Sequence, residues 1–75
     1  MNQKDFNKLK PGDVISIKED LIVGKMYGKS KFILHEFMSL DNNQDTVLTI
    51  VDDPYSNHLS KRVDNGFYYT KEMLK

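Results

Sequence analysis

The stretch GKMYGKSK, Gly24 to Lys31, decides between two kinds of fold. It reads Gly-x-x-x-Gly-Lys-Ser, close to the Gly-x-x-x-x-Gly-Lys-Ser/Thr loop that cradles nucleotide phosphates. That loop needs four residues between its glycines so that successive backbone N–H groups curl around the phosphates. It also needs a helix beginning at Lys-Ser, whose N-terminus meets the negative charge. Here only three residues separate Gly24 from Gly28, and no long helical pattern follows Ser30. A chain of 75 residues is also too short for the repeated strand–helix units of a nucleotide-binding α/β domain. The stretch therefore belongs to a loop of something smaller, and the flanking sequence says of what.

On the N-terminal side, VISIK (14–18) alternates, with Ile15 and Ile17 on one face and Ser16 and Lys18 on the other. On the C-terminal side, TVLTIV (46–51) is the strongest strand signal, Leu48 and Ile50 sharing a face. DDPYSN (52–57) breaks it, and HLSKRV (58–63) reads as the return strand of a hairpin. Asp64, Asn65 and Gly66 tolerate positive φ and predict a tight turn into the aromatic strand FYY (67–69). Phe6 and Leu9 support one helical turn before Pro11-Gly12, and TKEMLK supports another, with Thr70 as its N-cap and Met73-Leu74 as apolar anchor. EDLIVGKMYGKSK (19–31) has no sustained period and reads as a long ordered loop. FILHEFMSL (32–40) fits both periods; a short helix or turn plugging one end of the core is the preferred reading, followed by a turn cluster at DNNQD (41–45). Short strands between turn clusters predict a mainly β fold, a small closed or half-closed barrel with Ile15, Ile17, Leu21, Leu48, Ile50 and Phe67 in its core.

The length predicts a single domain, residues 1–75, with residues 1–10 as an N-terminal arm or helical turn. Hydrophobic residues at 39% against 29% charged suit a packed core rather than a disordered chain. No cysteine is present, which excludes disulfides and thiolate metal sites. No apolar run approaches the roughly 18 residues of a membrane span, and MNQKDFNKLK lacks the apolar core of a secretion signal. The expectation is a soluble cytoplasmic protein, monomeric or weakly dimeric. Net charge is zero but blocked: residues 1–35 carry +3, residues 36–58 carry −5, and the remainder carries +2. Such blocks can steer partners.

Few residues suggest chemistry. His35, Glu36, Asp52, Asp53 and His58 are the only set able to ligate a metal, and they lack a tight spacing such as His-x-x-x-His. Asp52 and Asp53 are adjacent, so on a strand they point to opposite faces and cannot share one substrate. No Ser–His–Asp or Cys–His arrangement is legible. Neither catalysis nor any metal or cofactor is expected. Two binding surfaces remain. Lys25, Lys29 and Lys31 around Tyr27, joined by Lys18, would meet nucleic-acid phosphates. Glu36, Asp41, Asp45, Asp52 and Asp53, with the aromatic Tyr55, would be drawn to a basic groove on a protein partner, and Tyr68 and Phe37 are further aromatics available for recognition. Lys61 and Arg62 are placed to cross a hairpin and compensate some of these acids. Tyr27 is expected to pack, its hydroxyl reaching a backbone group.

PGDVISIKEDLIVGKMYG joined to the closing GFYYTKEMLK resembles a group of small proteins encoded by phages and prophages of Gram-positive bacteria. The resemblance rests on Gly12, Asp13, Ile15, Ile17, Asp20, Leu21, Gly24, Lys25, Tyr27 and Gly28. It continues through Phe32, Thr46, Ile50, Tyr69, Glu72, Met73 and Leu74. It implies a five-stranded SH3-like barrel, similar to the mind-bomb-type repeat, with no shared enzymatic activity. The group's closing tryptophans appear here as Phe67, Tyr68 and Tyr69. By analogy the resemblance implies a host protein as partner, of the kind of a nucleic-acid-binding defence effector, and an anti-defence role of the anti-CRISPR kind. The alternative is a small nucleic-acid-binding accessory protein.

Overall fold

The structure is a computed structural model, which describes residues 1–29 and 31–75. Ser30, the residue at the hydroxyl position of the phosphate-loop comparison, lies outside the described residues. The first element is a short helix, α1 (Gln3–Lys8). The side chain of Asn2 accepts a bond from the Asp5 amide at 2.8 Å, satisfying one of the helix's free donors. Acidic Asp5 in the first turn and basic Lys8 in the last complement the helix dipole. The helix buries Phe6 completely. Lys61 holds it in place, donating to the Leu9 carbonyl at 3.1 Å with its ammonium 5.5 Å from the Phe6 ring centroid.

Six two-residue strands follow among the described residues: β1 (Val14–Ile15), β2 (Met26–Tyr27), β3 (Phe32–Ile33), β4 (Leu48–Thr49), β5 (Lys61–Arg62) and β6 (Tyr68–Tyr69). They form three antiparallel pairs, β1–β4, β2–β3 and β5–β6. Backbone bonds extend two of these pairs into one run. Ile17 bridges Leu74 and Ile50 bridges Val63, while Val51 N–H donates to the Arg62 carbonyl at 3.1 Å. The order across this run is the C-terminal segment, β1, β4, β5 and β6. No backbone hydrogen bond among the described residues joins the β2–β3 ribbon to it. The ribbon is attached by side chains.

The fold is thus small and β-rich, with short strands and bridges and little helix, as the alternating segments predict. Several details differ from expectation. Residues 19–31 are not all loop, because Met26 and Tyr27 pair with Ile33 and Phe32. Residues 32–40 satisfy both periods in turn, β3 being followed by a 3-10 turn at Glu36–Met38. Thr70 precedes the closing 3-10 turn (Lys71–Met73), but its hydroxyl is buried and makes no hydrogen bond among the described residues, so it does not cap.

Ile15, Ile17, Leu48 and Ile50 are buried as expected, whereas Leu21 and Phe67 only pack against the core from its rim. Phe6, Leu34, Met38, Val63, Tyr69, Met73 and Leu74 complete the core. Met38 and Met73 lie in 3-10 turns and Leu34 lies between elements, where no strand or helix period marks a core residue. Tyr27 is half-buried, and its hydroxyl accepts the Ile22 amide at 2.8 Å, the backbone contact expected of it. Gly28 has φ +81, which favours glycine; a Cβ there would also lie 2.5 Å from Glu72 Oε1, the movable end of a flexible side chain.

Leu34→Ala is expected to cost about 2–5 kcal/mol, because a buried aliphatic side chain leaves a cavity. Phe37→Ala, at a side chain 64% exposed, should stay within about 0.5 kcal/mol. Denaturant melts of both variants check the assignment, and equal losses would refute it. Thr70→Val removes the unpartnered hydroxyl and is expected to be neutral or stabilising in the same melts.

Candidate functional site: an aromatic ridge between two grooves

Alternation along β6 sends successive side chains to opposite faces, so Tyr69 enters the core and Tyr68 stands on the outer face. The Tyr68 ring stacks on Phe32 of β3, with centroids 6.2 Å apart and planes 9° from parallel. Arg62, opposite Tyr68 on β5, lays its guanidinium 5.8 Å from the Tyr68 centroid. The Tyr68 hydroxyl donates to Asp53 Oδ2, which also accepts the Tyr55 amide at 3.0 Å. Asp53 Oδ1 faces Arg62 at 3.5 Å. With its side chain only 8% exposed, Asp53 serves as a bracket that fixes both the tyrosine and the arginine.

This geometry moves two titrations apart. The Tyr68 hydroxyl, helped by the Tyr55 amide and Arg62, holds the Asp53 carboxyl below its ordinary range against the opposing effect of burial. The same bond to Asp53 raises the Tyr68 phenol, as does burial.

A groove opens on each side of the Phe32–Tyr68 pair. One, of about 400 Å³, runs past Ile33, His35 and Phe67 with Lys31 at its rim. The His35 and Phe67 rings stand 6.0 Å apart. The other, of about 360 Å³, is bordered by Tyr55, Asn57 and Leu59. Tyr55 is 76% exposed at its edge. No protein-family model, curated protein or solved structure matches this chain.

The sequence-derived candidates fall in different places. Tyr55 and Asp53 belong to this ridge, but Asp53 is spent on Tyr68 and Arg62 rather than displayed. The compensation expected from Arg62 is real, whereas Lys61 turns to Leu9. Asp52 is exposed, as opposite facing from Asp53 requires. Asp41 and Asp45 lie exposed in the 41–45 turn, and Glu36 is exposed at the start of its 3-10 turn. Lys25 lies over Tyr27, 5.5 Å from its centroid, and Lys31 reaches the larger groove. Lys29 borders a small cleft with His58 and Lys71. Lys18 stands apart from these, beside Leu40 and Asp41. No group of three or more His, Asp or Glu able to hold a metal gathers among the described residues.

Tyr68 is one of the aromatics the sequence offers for protein recognition, whereas Phe32 and Arg62 are not singled out from sequence as a site. The one available signal was two adjacent tyrosines on a strand, of which only one can be core.

Tyr68→Phe is expected to raise the Asp53 midpoint toward the ordinary carboxylate value of about 3.9. Because Asp53 is depressed in the folded state, its contribution to stability is present above that value and lost as pH falls through the folded midpoint. The variant should therefore lose less stability on acidification than the parent. Side-chain carboxyl NMR titration checks the shift, and an unchanged midpoint would show that the Tyr68 bond does not set it.

Proposed function

We propose that this domain is a non-catalytic binding module that acts by occupying the surface of another protein, using the Phe32–Tyr68 ridge as its anchor. The observation that carries the reading is the bracing of that ridge by Asp53 and Arg62. Two aromatic rings held in fixed positions offer contact area at little ordering cost on binding, and Tyr and Arg dominate the energetics of protein interfaces. The grooves beside the ridge give a partner's side chains somewhere to go. Exposed Asp41, Asp45 and Asp52 would steer a basic partner at longer range.

The finer architecture we infer is an SH3-like small barrel, with the β2–β3 ribbon packed by side chains against the other strands. With it comes the setting implied by the resemblance to phage-type proteins: the bacterial cytoplasm, a host protein as partner, and an anti-defence role. A second reading has its own support. Lys31 beside Phe32 and Arg62 over Tyr68 combine cations with stacked aromatics, as single-stranded nucleic-acid binders do.

Capture from a Gram-positive bacterial lysate, with and without nuclease, separates the two. The expected result is a protein retained after nuclease treatment. Its affinity for the domain should fall about thirty-fold or more in Tyr68→Ala, the loss of a central aromatic anchor. Capture that vanishes with nuclease, or binding that weakens steeply between about 50 and 200 mM salt, would favour nucleic acid instead.

A further inference from the structure

The larger groove has a property that its aromatic lining does not explain: two residues on its lining hold backbone groups with no hydrogen-bond partner among the described residues. In an antiparallel pair, hydrogen-bonded and non-hydrogen-bonded residue pairs alternate. Leu34 N–H donates to the Lys25 carbonyl at 3.0 Å, so the neighbouring Met26–Ile33 pair is the non-bonded kind. The N–H and C=O of Ile33 therefore point off the outer edge of β3. The same holds on the opposite wall. Val63 N–H donates to the Phe67 carbonyl at 2.9 Å, and Arg62 spends its own N–H on Ser56 and its carbonyl on Val51. Tyr68 thus turns its backbone away from β5. Neither Ile33 nor Tyr68 has a backbone partner elsewhere among the described residues. Both line the groove of about 400 Å³, and Ile33 is the more exposed.

We propose that this groove receives an extended segment of the partner protein, which adds to the open edge of β3 as a further strand. The inference rests on the protein-binding reading and specifies how the partner is held. The Ile33 N–H and C=O would take the main-chain bonds. Alternate apolar side chains of the incoming strand would settle on Phe32, Met38 and Phe67, which line the groove. The outward positions of this one segment carry acidic residues, while the partner's basic surface lies elsewhere, because Lys31 and His35 are the ionisable groups besides Tyr68 among the described lining residues, and no carboxylate is among them. Left open, such an edge is a liability that proteins ordinarily cover, and a two-residue β3 keeps it short enough to stay unpaired until a partner arrives.

The test uses one defined probe, the heptapeptide acetyl-Glu-Val-Thr-Leu-Thr-Val-Glu-amide, with two N-methylated isomers. One isomer carries methyl groups on the amides of the valines and leucine, the other on those of the threonines and the second glutamate, three on each edge. Each blocks hydrogen bonding along one edge of the peptide while keeping its side chains. Strand addition expects saturable binding of the parent peptide by NMR titration. One isomer should lose about tenfold or more in affinity while the other stays within about twofold. Ile33 N–H should become protected from exchange on binding, while Met26 N–H, on the far edge of the ribbon, should not. Ile33→Pro deletes the donor at an edge that tolerates proline and should abolish binding, whereas Ile33→Val should retain it.

Equal affinities for both isomers, no binding of the parent peptide, or an unprotected Ile33 amide would each overturn the proposal. So would concentration-dependent dimerisation of the free domain that protects Ile33, since the edge would then be met by a second copy. If the domain captures its protein partner through Tyr68 while these peptides fail, strand addition is wrong and the protein-binding reading stands.

Discussion

The fold depends on one buried hydroxyl. Tyr69 is fully enclosed, and its hydroxyl donates to the Met38 carbonyl at 2.8 Å while accepting from Asn65 at 2.9 Å. Burial pushes its phenol upward, so the proton stays in place to make the bond to Met38. This interaction ties β6 to the 3-10 turn that follows β3 and to the turn that precedes β6. The β2–β3 ribbon has no backbone ladder to the other strands, so Tyr69, together with the apolar contacts of Leu34 and Met38, is what registers it against them. A lost hydroxyl there would leave a carbonyl without its donor in the interior, a costly state.

The same arrangement creates the surface. Because Tyr69 points inward, Tyr68 must point outward, and the ribbon held by Tyr69 brings Phe32 beneath it. Asp53 then completes the ridge from a different part of the chain, fifteen residues before Tyr68. A carboxylate with so little exposed surface needs hydrogen bonds and a cation in return, and Tyr68, the Tyr55 amide and Arg62 supply them. The acidic block of the middle sequence is therefore not one surface. Its most protected member is structural, and its exposed members are Glu36, Asp41, Asp45 and Asp52.

An open seam follows from attachment by side chains alone. Strands joined by backbone bonds leave no room for another strand, whereas a ribbon joined by ring stacking leaves the outward backbone groups of Ile33 and Tyr68 unmatched. In this chain the element that deviates most from a continuous sheet is also the element bordering the aromatic grooves. Stability and the recognition we propose draw on the same few residues of β3 and β6.

What the sequence determined by itself was the fold class and the alternating half of the core. Ile15, Ile17, Leu48 and Ile50 declared themselves because burial on one face of a strand imposes a period of two. The turn at Asp64–Gly66 and the failure of GKMYGKSK as a phosphate loop were equally local matters of backbone geometry. Tertiary structure decided the rest. Leu34, Met38 and Val63 are buried by what packs on them, and no local pattern announces that. Whether an aspartate is displayed or enclosed depends on a tyrosine and an arginine distant in sequence, as Asp53 shows. The stacking of Phe32 on Tyr68, and the seam beside it, arise from contacts across 36 positions of chain. Periodicity describes a residue's relation to its neighbours in sequence; a binding surface is made of neighbours in space.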